Sequence, residues 1–239
     1  MQKVMSKMRR AMQNYRMVEP GDHIGVGVSG GKDSLVLLCA LSEMRRFYPV
    51  PYTLSALVMD PQFGGTPTDF SPVEALCRKL DVPFVYQPTA LGSVVFERRE
   101  EKNPCSLCAK MRRGILHDMA KEQGCTRVAL GHHMDDTVET FYMNLLLNGH
   151  IGCFSPVSYL SRKGLYVIRP MIYLPEKEVR RVCRRLALPV VKSRCPVDGE
   201  TQRETTKALL RDLERRYPGL REKTLGALER RGIDGWGAR

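Results

Sequence analysis

The feature that most constrains the fold is an apolar run that ends in a glycine-rich turn and then opens a helix. Residues 23–28 read HIGVGV, a β-branched and apolar stretch that predicts a short buried strand. The chain continues directly into SGGKDS and then into LVLLCALSEM, which predicts a helix. A buried strand joined so tightly to a helix is typical of the first half of a βαβ unit, which belongs to a parallel sheet.

The rest of the chain repeats this alternation of strand and helix. Further strands are predicted in the stretches YTLSALVMD, VPFVYQP, TRVALGHH and LYVIRP, with helical patterns between them. We therefore expect an α/β fold with a doubly wound parallel sheet, whose ligands bind at the carboxyl ends of the strands. The expected organisation is a basic N-terminal helix within residues 1–20, a nucleotide-binding domain over 21–195 and a helical C-terminal tail over 196–239.

The turn SGGKDS has the chemistry of an anion-binding loop. Its two glycines let backbone N–H groups face a ligand, and the helix that follows adds positive potential at its N-terminus. Lys32 can neutralise phosphate charge, and Asp33 can hold a Mg²⁺ ion that also coordinates phosphate oxygens. The candidate nucleotide ligands here are Ser29, Gly30, Gly31, Lys32, Asp33 and Ser34.

Two better-known nucleotide motifs do not fit this stretch. Gly25, Gly27 and Gly30 match the dinucleotide fingerprint by letter, but the first two fall inside the predicted strand. The acidic residue expected about twenty positions further on is also missing. A Walker A loop needs a glycine six residues before Lys32, and Val26 stands there. An ordinary glycine turn before a capped helix is the remaining plain alternative.

A second polar block, LGHHMDDTVET, follows the fourth predicted strand. His132, Asp135 and Asp136 should lie at the same edge of the sheet as the SGGKDS turn. Two carboxylates beside a triphosphate are sensible only with a cation between them. Without such a partner, the same residues would be a solvated helix cap and a structural histidine.

Two cysteines three residues apart, in NPCSLCAK, raise a separate question. At the start of a predicted helix, Cys105 and Cys108 share one face and could bind one metal centre. A thioredoxin-like pair would need a different setting, and half a zinc site would need a second close pair, which is absent from the sequence.

The other six cysteines differ in their surroundings. Cys195 stands in the loop VVKSRCPVDGETQR, which could reach the same edge of the sheet. Three thiolates suit either an iron–sulfur cluster with one iron not bound by protein or an open zinc site. The remaining cysteines are expected to be structural, since buried cysteine packs as a small apolar residue: Cys39, Cys77, Cys125, Cys153 and Cys183.

The charge of the chain favours a polyanionic partner. It has 38 Lys and Arg against 26 Asp and Glu, a formal net charge of +12. Basic residues cluster on helical patterns, and the candidate RNA contacts are Arg9 and Arg10 in the first helix and Arg112 and Arg113 after the cysteine pair. A merely basic, solvated surface is the alternative. The sequence has neither an apolar run long enough to span a bilayer nor a signal-peptide core, so a cytoplasmic protein with no membrane partner is expected.

SGGKDS after a strand resembles the phosphate-binding PP-loop of the N-type ATP pyrophosphatases. The combination of motifs is similar to that of the tRNA 2-thiocytidine synthetase family in particular. The matching stretches cover about residues 3–200 and are KMRRAMQNY, GDHIGVGVSGGKDS, NPCSLCAKMRRGIL and LGHHMDDTVET, with a late cysteine.

The resemblance implies an ATP-dependent tRNA sulfurtransferase. Such an enzyme adenylates a base carbonyl, here C2 of a cytidine in the anticodon loop, replaces its oxygen with sulfur and releases AMP and pyrophosphate. It implies ATP, Mg²⁺ and a [4Fe–4S] cluster as cofactors, and tRNA with sulfide or a cysteine desulfurase as partners; a homodimer is left open. In this sequence the resemblance implies that Lys32, Asp33 and Asp136 are catalytic. It also implies that Asp33 and Asp136 bind Mg²⁺, and that the cluster is bound by Cys105, Cys108 and Cys195. The further ATP contacts are Met59, Asp60, Gly131, His132 and Asp135.

The chain also departs from that family. Better-known members are longer and carry a second cysteine beside the late one, whereas this chain has Cys195 alone in CPVDGETQR. Three alternatives therefore stay open. They are a thiolase of the same fold that acts on another tRNA base or a small molecule, a redox-sensing RNA-binding protein that binds nucleotide without turnover, and a lysidine-type ligase that needs no cluster.

Overall fold

The protein contains a six-stranded sheet with the strand order β3-β2-β1-β4-β6-β5. The structure, a computed structural model, describes residues 1–98, 104–197 and 202–237. All neighbouring strands in the sheet are parallel except β5, which is antiparallel to β6. The expected doubly wound α/β class is confirmed. The strands are β1 (Asp22–Gly27), β2 (Tyr52–Asp60), β3 (Phe84–Pro88), β4 (Arg127–Ala129), β5 (Val157–Leu160) and β6 (Leu165–Ile168).

The edge strand β5 departs from the purely parallel expectation. It pairs with β6 across a short turn, with Leu160 opposite Leu165 and Val157 opposite Ile168. Two strands joined by so short a turn form a hairpin and must be antiparallel. The hairpin adds one strand to the sheet without a further crossover helix.

The helices lie where the sequence pattern predicts them, with small shifts at their ends. Among the described residues, no helix is both long and apolar enough to cross a membrane. The helices are α1 (Gln2–Asn14), α2 (Lys32–Met44), α3 (Ser71–Lys79), the short α4 (Leu91–Ser93), α5 (Pro104–Glu122), α6 (Met134–Asn148), α7 (Glu176–Arg185), α8 (Gln202–Arg216) and α9 (Leu220–Arg231).

The two faces of the sheet are buried by different sets of helices. Side chains of β2 alternate between them, so that Ala56 and Val58 pack in the core with α1, α2 and α7, whereas Leu57 and Met59 pack under α5. Gly25 and Gly27 of β1 face the α5 side. A Cβ on Gly27 would lie 2.9 Å from a methyl group of Leu116, so these glycines let α5 approach the sheet closely.

The two ends of the chain meet in the larger of these cores. The Tyr15 hydroxyl donates a hydrogen bond to the backbone oxygen of Trp236 (2.8 Å), and the indole N–H of Trp236 donates to the Phe154 carbonyl (3.0 Å). Trp236 is fully buried, as are Met8 and Met12 of α1. The predicted N-terminal helix and C-terminal tail thus share the core with the central segment. Residues 198–201 and 238–239 of that predicted tail lie outside the described residues.

Candidate nucleotide and cysteine site

The SGGKDS turn joins the carboxyl end of β1 to the N-terminus of α2, as predicted. Gly31 is the N-cap, and Ser29 Oγ accepts a hydrogen bond from the Gly31 amide (3.3 Å). Ser34 Oγ donates to the Gly31 carbonyl (2.9 Å) and lies 3.3 Å from Ser29 Oγ. The first backbone amides of a helix have no acceptor within the helix. With its two serine hydroxyls fixing the turn, the N-terminus of α2 therefore presents N–H donors to an anion.

Gly30 fixes the position of the turn against a distant segment. Its φ of +80° is strained for other residues, and a Cβ there would lie 2.8 Å from Cβ of Val191. The Val191 amide donates to the Gly30 carbonyl (3.0 Å). Val191 lies four residues before Cys195, so this contact brings the late cysteine's segment alongside the phosphate-binding turn.

Lys32 is held by two carboxylates. Its Nζ lies 3.0 Å from Asp33 Oδ2 and 3.0 Å from Glu176 Oε1, at the start of α7. Burial opposes ionisation of Glu176, but its hydrogen bonds to Lys32 and Arg180 outweigh burial and lower its pKa to about 2. Glu176 was not predicted from the sequence. In this arrangement it stands where it can hold the lysine next to the phosphate site.

The other oxygen of Asp33 faces the site. Asp33 Oδ1 is buried without a hydrogen-bond partner among the described residues and lies 3.7 Å from Nε2 of His133. Gly131 lets α2 come close, because a Cβ there would lie 3.1 Å from the Asp33 carbonyl carbon. A free carboxylate oxygen beside unsatisfied helix amides fits Mg²⁺ bound together with a triphosphate, since carboxylates and phosphates are its usual ligands.

A capping box fixes the two acidic residues at the start of α6. The His133 amide donates to Asp136 Oδ2 (2.9 Å), and the Asp136 amide donates to His133 Nδ1 (3.3 Å). Asp135 points the other way: its Oδ2 accepts from the Glu176 amide (2.6 Å) and its Oδ1 lies 2.9 Å from Arg221 Nε. Asp136 therefore lies on the opposite side of His133 from Asp33, whereas both carboxylate oxygens of Asp135 contact other residues of the protein.

The C-terminal helix α8 reaches this same group of carboxylates. Arg203 NH1 lies 3.4 Å from Asp136 Oδ1 and 3.1 Å from Glu139 Oε2. Burial raises the pKa of Glu139 to about 7. Neither Glu139 nor Arg203 was predicted from the sequence, because each becomes part of the site only through the packing of α8 on α6.

Two predicted ATP contacts of β2 have different surroundings. Asp60 is fully buried and accepts hydrogen bonds from the Gln62 amide, from Thr68 and from the Tyr86 hydroxyl. Burial opposes its ionisation, but these donors hold the pKa of Asp60 below its usual value. Met59, beside it, packs under α5. Asp60 thus anchors the loop that follows β2, and both residues lie at the edge where the phosphate-binding turn begins.

His132 faces away from its neighbour His133. Its ring packs on Phe154, with centroids 4.8 Å apart. Burial, with a contribution from Arg169, lowers the pKa of His132 to about 4, so the ring is neutral near pH 7. Its Nδ1 is buried without a hydrogen-bond partner among the described residues.

The structure brings the three candidate cluster cysteines together. Cys108 is buried among Leu91 and Val95, Cys105 is exposed, and Cys195 is partly buried. Burial raises the pKa of Cys108; Arg112 opposes this rise, and Cys195 and Cys105 both add to it. Both other thiols therefore lie close enough to Cys108 to act on it electrostatically. The remaining five cysteines are buried, in agreement with a structural role.

The three thiols could serve either of two kinds of centre, a zinc ion or an iron–sulfur cluster. Within residues 1–98, 104–197 and 202–237, no three His, Cys, Asp or Glu side chains are placed to hold a single metal ion. A zinc site needs its ligands around one ion, whereas the cysteines of a cubane bind different irons and lie further apart. Three cysteines, of which Cys108 is buried, Cys195 is partly buried and Cys105 is exposed, supply the ligand set of a [4Fe–4S] cluster with one iron not bound by the protein.

The predicted RNA contacts fall in two places. Arg112 and Arg113 are exposed on α5, directly after the cysteine pair. Arg9 lies beside Phe47, past the far end of α2 from the phosphate-binding turn, and the Arg10 guanidinium lies over the Tyr173 ring at 4.3 Å. The α5 arginines are therefore next to the candidate site and those of α1 are not.

Comparison with known proteins agrees with this arrangement. Residues 1–192 match the family described as the PP-loop domain, ATP_bind_3. The tRNA-cytidine(32) 2-sulfurtransferase of Geobacter metallireducens is 36% identical over 229 residues, which cover 95% of this chain and 88% of that protein. The enzyme of the same name from Ralstonia nicotianae is 34% identical over 229 residues, 95% of this chain and 73% of that protein.

A solved structure has the same fold. The U34-tRNA thiolase NcsA from Methanococcus maripaludis, solved with its [4Fe–4S] cluster, superposes with a TM-score of 0.77 at 23% identity, over 96% of this chain and 78% of that one. Its likeness supports the architecture, and the sequence identity to the curated enzymes supports the family. The chain therefore belongs to the PP-loop domain family and, within it, to the family of tRNA 2-thiocytidine synthetases.

Proposed function

We propose that this protein is an ATP- and iron–sulfur-dependent tRNA sulfurtransferase that converts a cytidine of the anticodon loop to 2-thiocytidine. The observation that carries the proposal is the contact between Val191 and Gly30, which places the segment of Cys195 beside the phosphate-binding turn. Through it, a group that activates oxygen and a group that can deliver sulfur share one edge of the sheet. The curated relatives bear the name of this activity.

The first half-reaction uses the turn and the carboxylates. The α2 amides and Lys32 would hold the ATP phosphates, and Asp33 and Asp136 are the carboxylates that would bind Mg²⁺, which would neutralise phosphate charge. The C2 oxygen of the base attacks the α-phosphate, the bond from the α-phosphorus to pyrophosphate breaks, and the base becomes O-adenylated. Binding the phosphates on preorganised donors stabilises the charge that develops in this step.

The second half-reaction replaces the activated oxygen. Cys105, Cys108 and Cys195 would hold a [4Fe–4S] cluster through their thiolates, and such a cluster would supply the sulfide that replaces the activated oxygen. Sulfur adds at C2 and AMP leaves with the oxygen. Sulfide or a cysteine desulfurase supplies the sulfur, and the reaction takes place in the cytoplasm, where thiols stay reduced.

Nucleoside mass spectrometry tests the activity. Anaerobically reconstituted protein, incubated with ATP, Mg²⁺, sulfide and unmodified tRNA, should yield 2-thiocytidine together with AMP and pyrophosphate. A product with sulfur on another base, or pyrophosphate release without thiolation, would contradict the cytidine assignment.

The third cluster ligand is tested separately. Cys195→Ala should lower the iron content and the cluster absorbance after anaerobic reconstitution. Cys153→Ala is the matched control, because Cys153 is a buried cysteine whose thiol donates to the Thr137 carbonyl instead. Equal iron in both variants would refute Cys195 as a ligand.

A further inference from the structure

Arg169 is a partly buried cation that forms no ion pair within residues 1–98, 104–197 and 202–237. It follows β6 directly, at the same edge of the sheet as the phosphate-binding turn. NH1 donates to the Ser155 carbonyl (2.6 Å), and the guanidinium packs over the Phe154 ring at 5.0 Å. Nε is buried without a hydrogen-bond partner among the described residues, where no ion pair includes Arg169.

The groups around Arg169 in the part of the chain that the structure describes do not neutralise it. Burial lowers the pKa of Arg169 to about 10; Arg113 of α5 adds to this fall, and Cys153 opposes it. His132 and His117 also lie within electrostatic reach, and Arg169 lowers the pKa of both. An unpaired cation is costly to bury and becomes favourable only when an anion completes it.

The geometry of the guanidinium indicates which anion it can take. NH1 is fixed by the protein, and the edge formed by Nε and NH2 makes no hydrogen bond within the described residues. That edge offers two parallel N–H donors, which suit two oxygens of one phosphate or carboxylate. A neutral base edge would leave the charge uncompensated.

Three residues, Gly131, His132 and Phe154, link the phosphate-binding turn to Arg169. Gly131 touches Asp33 of the phosphate-binding turn, His132 follows Gly131, the His132 ring packs on Phe154, and Arg169 lies over Phe154. At the Arg169 end of this series, Arg113 on α5, the helix that carries the cysteine pair, lies within electrostatic reach. Arg169 therefore lies where an RNA strand would pass if its target base reaches between the turn and the cysteines.

We propose that the Nε–NH2 edge of Arg169 binds a backbone phosphate of the substrate RNA next to the target nucleotide. Arg169 is thereby a substrate-positioning residue, because a bound phosphate fixes the register of the strand while the base enters the site. The proposal rests on the tRNA sulfurtransferase function proposed above.

The test compares anaerobically reconstituted wild-type protein with Arg169→Gln, Arg169→Lys and Arg46→Gln. Arg46 is an exposed arginine at the far end of α2 and serves as the control for loss of one positive charge. The probe is a fluorescent anticodon stem-loop RNA in which each loop phosphate is replaced, one at a time, by an uncharged methylphosphonate. Affinity is read by fluorescence anisotropy, which needs no turnover.

In wild-type protein, one replaced phosphate next to the target cytidine should weaken binding about tenfold or more, the cost of a lost charged hydrogen-bond pair. Arg169→Gln should weaken binding of the unmodified RNA by a similar factor and make the same replacement harmless. Arg169→Lys keeps the charge but loses the paired donors, so it should weaken binding and reduce the effect of that replacement. Arg46→Gln should preserve the wild-type pattern.

Two results would overturn the proposal. In the first, every replacement weakens binding equally in wild-type protein and in both Arg169 variants. In the second, Arg169→Gln weakens binding of a fluorescent ATP analogue in the absence of RNA and leaves RNA binding intact, which would assign the anion to ATP. Thermal melts report folding, and the lysine variant carries the test if the glutamine variant unfolds. One RNA phosphate whose replacement weakens binding to wild type but not to Arg169→Gln would support the proposal. If that result comes without any formation of 2-thiocytidine, only the proposed function is refuted.

Discussion

At the scale of single residues, two glycines with nearly the same backbone angle have different tasks. Gly21 has a φ of +84° and would meet nothing within 4 Å if it carried a Cβ. Gly30 has a φ of +80°, and a Cβ there would clash with Val191. The first only turns the chain before β1, while the second also seats the phosphate-binding turn against the segment of Cys195.

Replacing each of these glycines with alanine distinguishes the cost of the positive φ from the cost of the contact with Val191. Gly21→Ala should lower the free energy of unfolding by about 1 kcal/mol, the cost of a positive φ. Gly30→Ala should cost more and should also weaken ATP binding, because the clash displaces the turn. Urea denaturation and titration with a fluorescent ATP analogue measure the two effects. Equal losses of stability with unchanged ATP affinity would show that the contact with Val191 has no role in the site.

Glu176 makes stability depend on pH. Its pKa is lowered to about 2 in the folded protein, so its ionised form stabilises the fold fully above its ordinary pKa of about 4.3, and this contribution is lost as the pH falls toward 2. Glu176→Gln should therefore lower the free energy of unfolding at pH 7 by on the order of 2 kcal/mol, and the difference from wild type should shrink as the pH falls. Urea denaturation from pH 7 to pH 3 checks this, with Glu74→Gln, which removes an exposed pair with Arg78, as the control.

At the scale of elements, the C-terminal helices hold the acidic start of α6. Arg203 of α8 contacts Asp136, and Arg221 of α9 contacts Asp135. Helix α6 thus receives one arginine from α8 and one from α9. The helices predicted as a tail thereby help to position the candidate site, and a basic surface is only part of what they provide.

The arginine of α9 gives a direct test of that role. Arg221 and Asp135 are each only 15% exposed, and removal of one partner from such a pair leaves a largely buried charge. Arg221→Gln should lower the free energy of unfolding by about 3 kcal/mol. Arg215→Gln, which removes an exposed pair with Asp212, should cost less than about 1 kcal/mol. Similar losses for the two variants would mean that α9 does not secure Asp135.

At the scale of the whole molecule, the packing of both chain ends into one core predicts a single unfolding transition. Trp236 is the one tryptophan of the sequence, so its fluorescence reports the C-terminal end, while far-ultraviolet circular dichroism reports the whole chain. The two signals should change at the same urea concentration. Separate transitions would mean that the segments 1–20 and 196–239 unfold independently of the central domain.

Much of this architecture is readable from the sequence, because it depends on local patterns. Apolar stretches alternating with helical periodicity predict the parallel sheet, and SGGKDS predicts an anion-binding helix N-terminus. The hairpin strand β5 was not predicted, since its four residues include the largely exposed Tyr159 and lack a continuous apolar run. The joining of β1 to α2 at Gly31 was predicted correctly because glycine and capping preferences are local.

The sequence by itself determined the fold class, the phosphate-binding turn and the set of thiols that could hold a cluster, because residue type and short spacing carry that chemistry. Only the packed structure shows that Val191 lies on Gly30, that Glu176 holds Lys32 and that Arg203 reaches Asp136. It also shows that Arg169 Nε is buried without a hydrogen-bond partner among the described residues. These contacts join segments far apart in the chain. Their existence depends on how helices pack on the sheet, and no local pattern in the sequence records that packing.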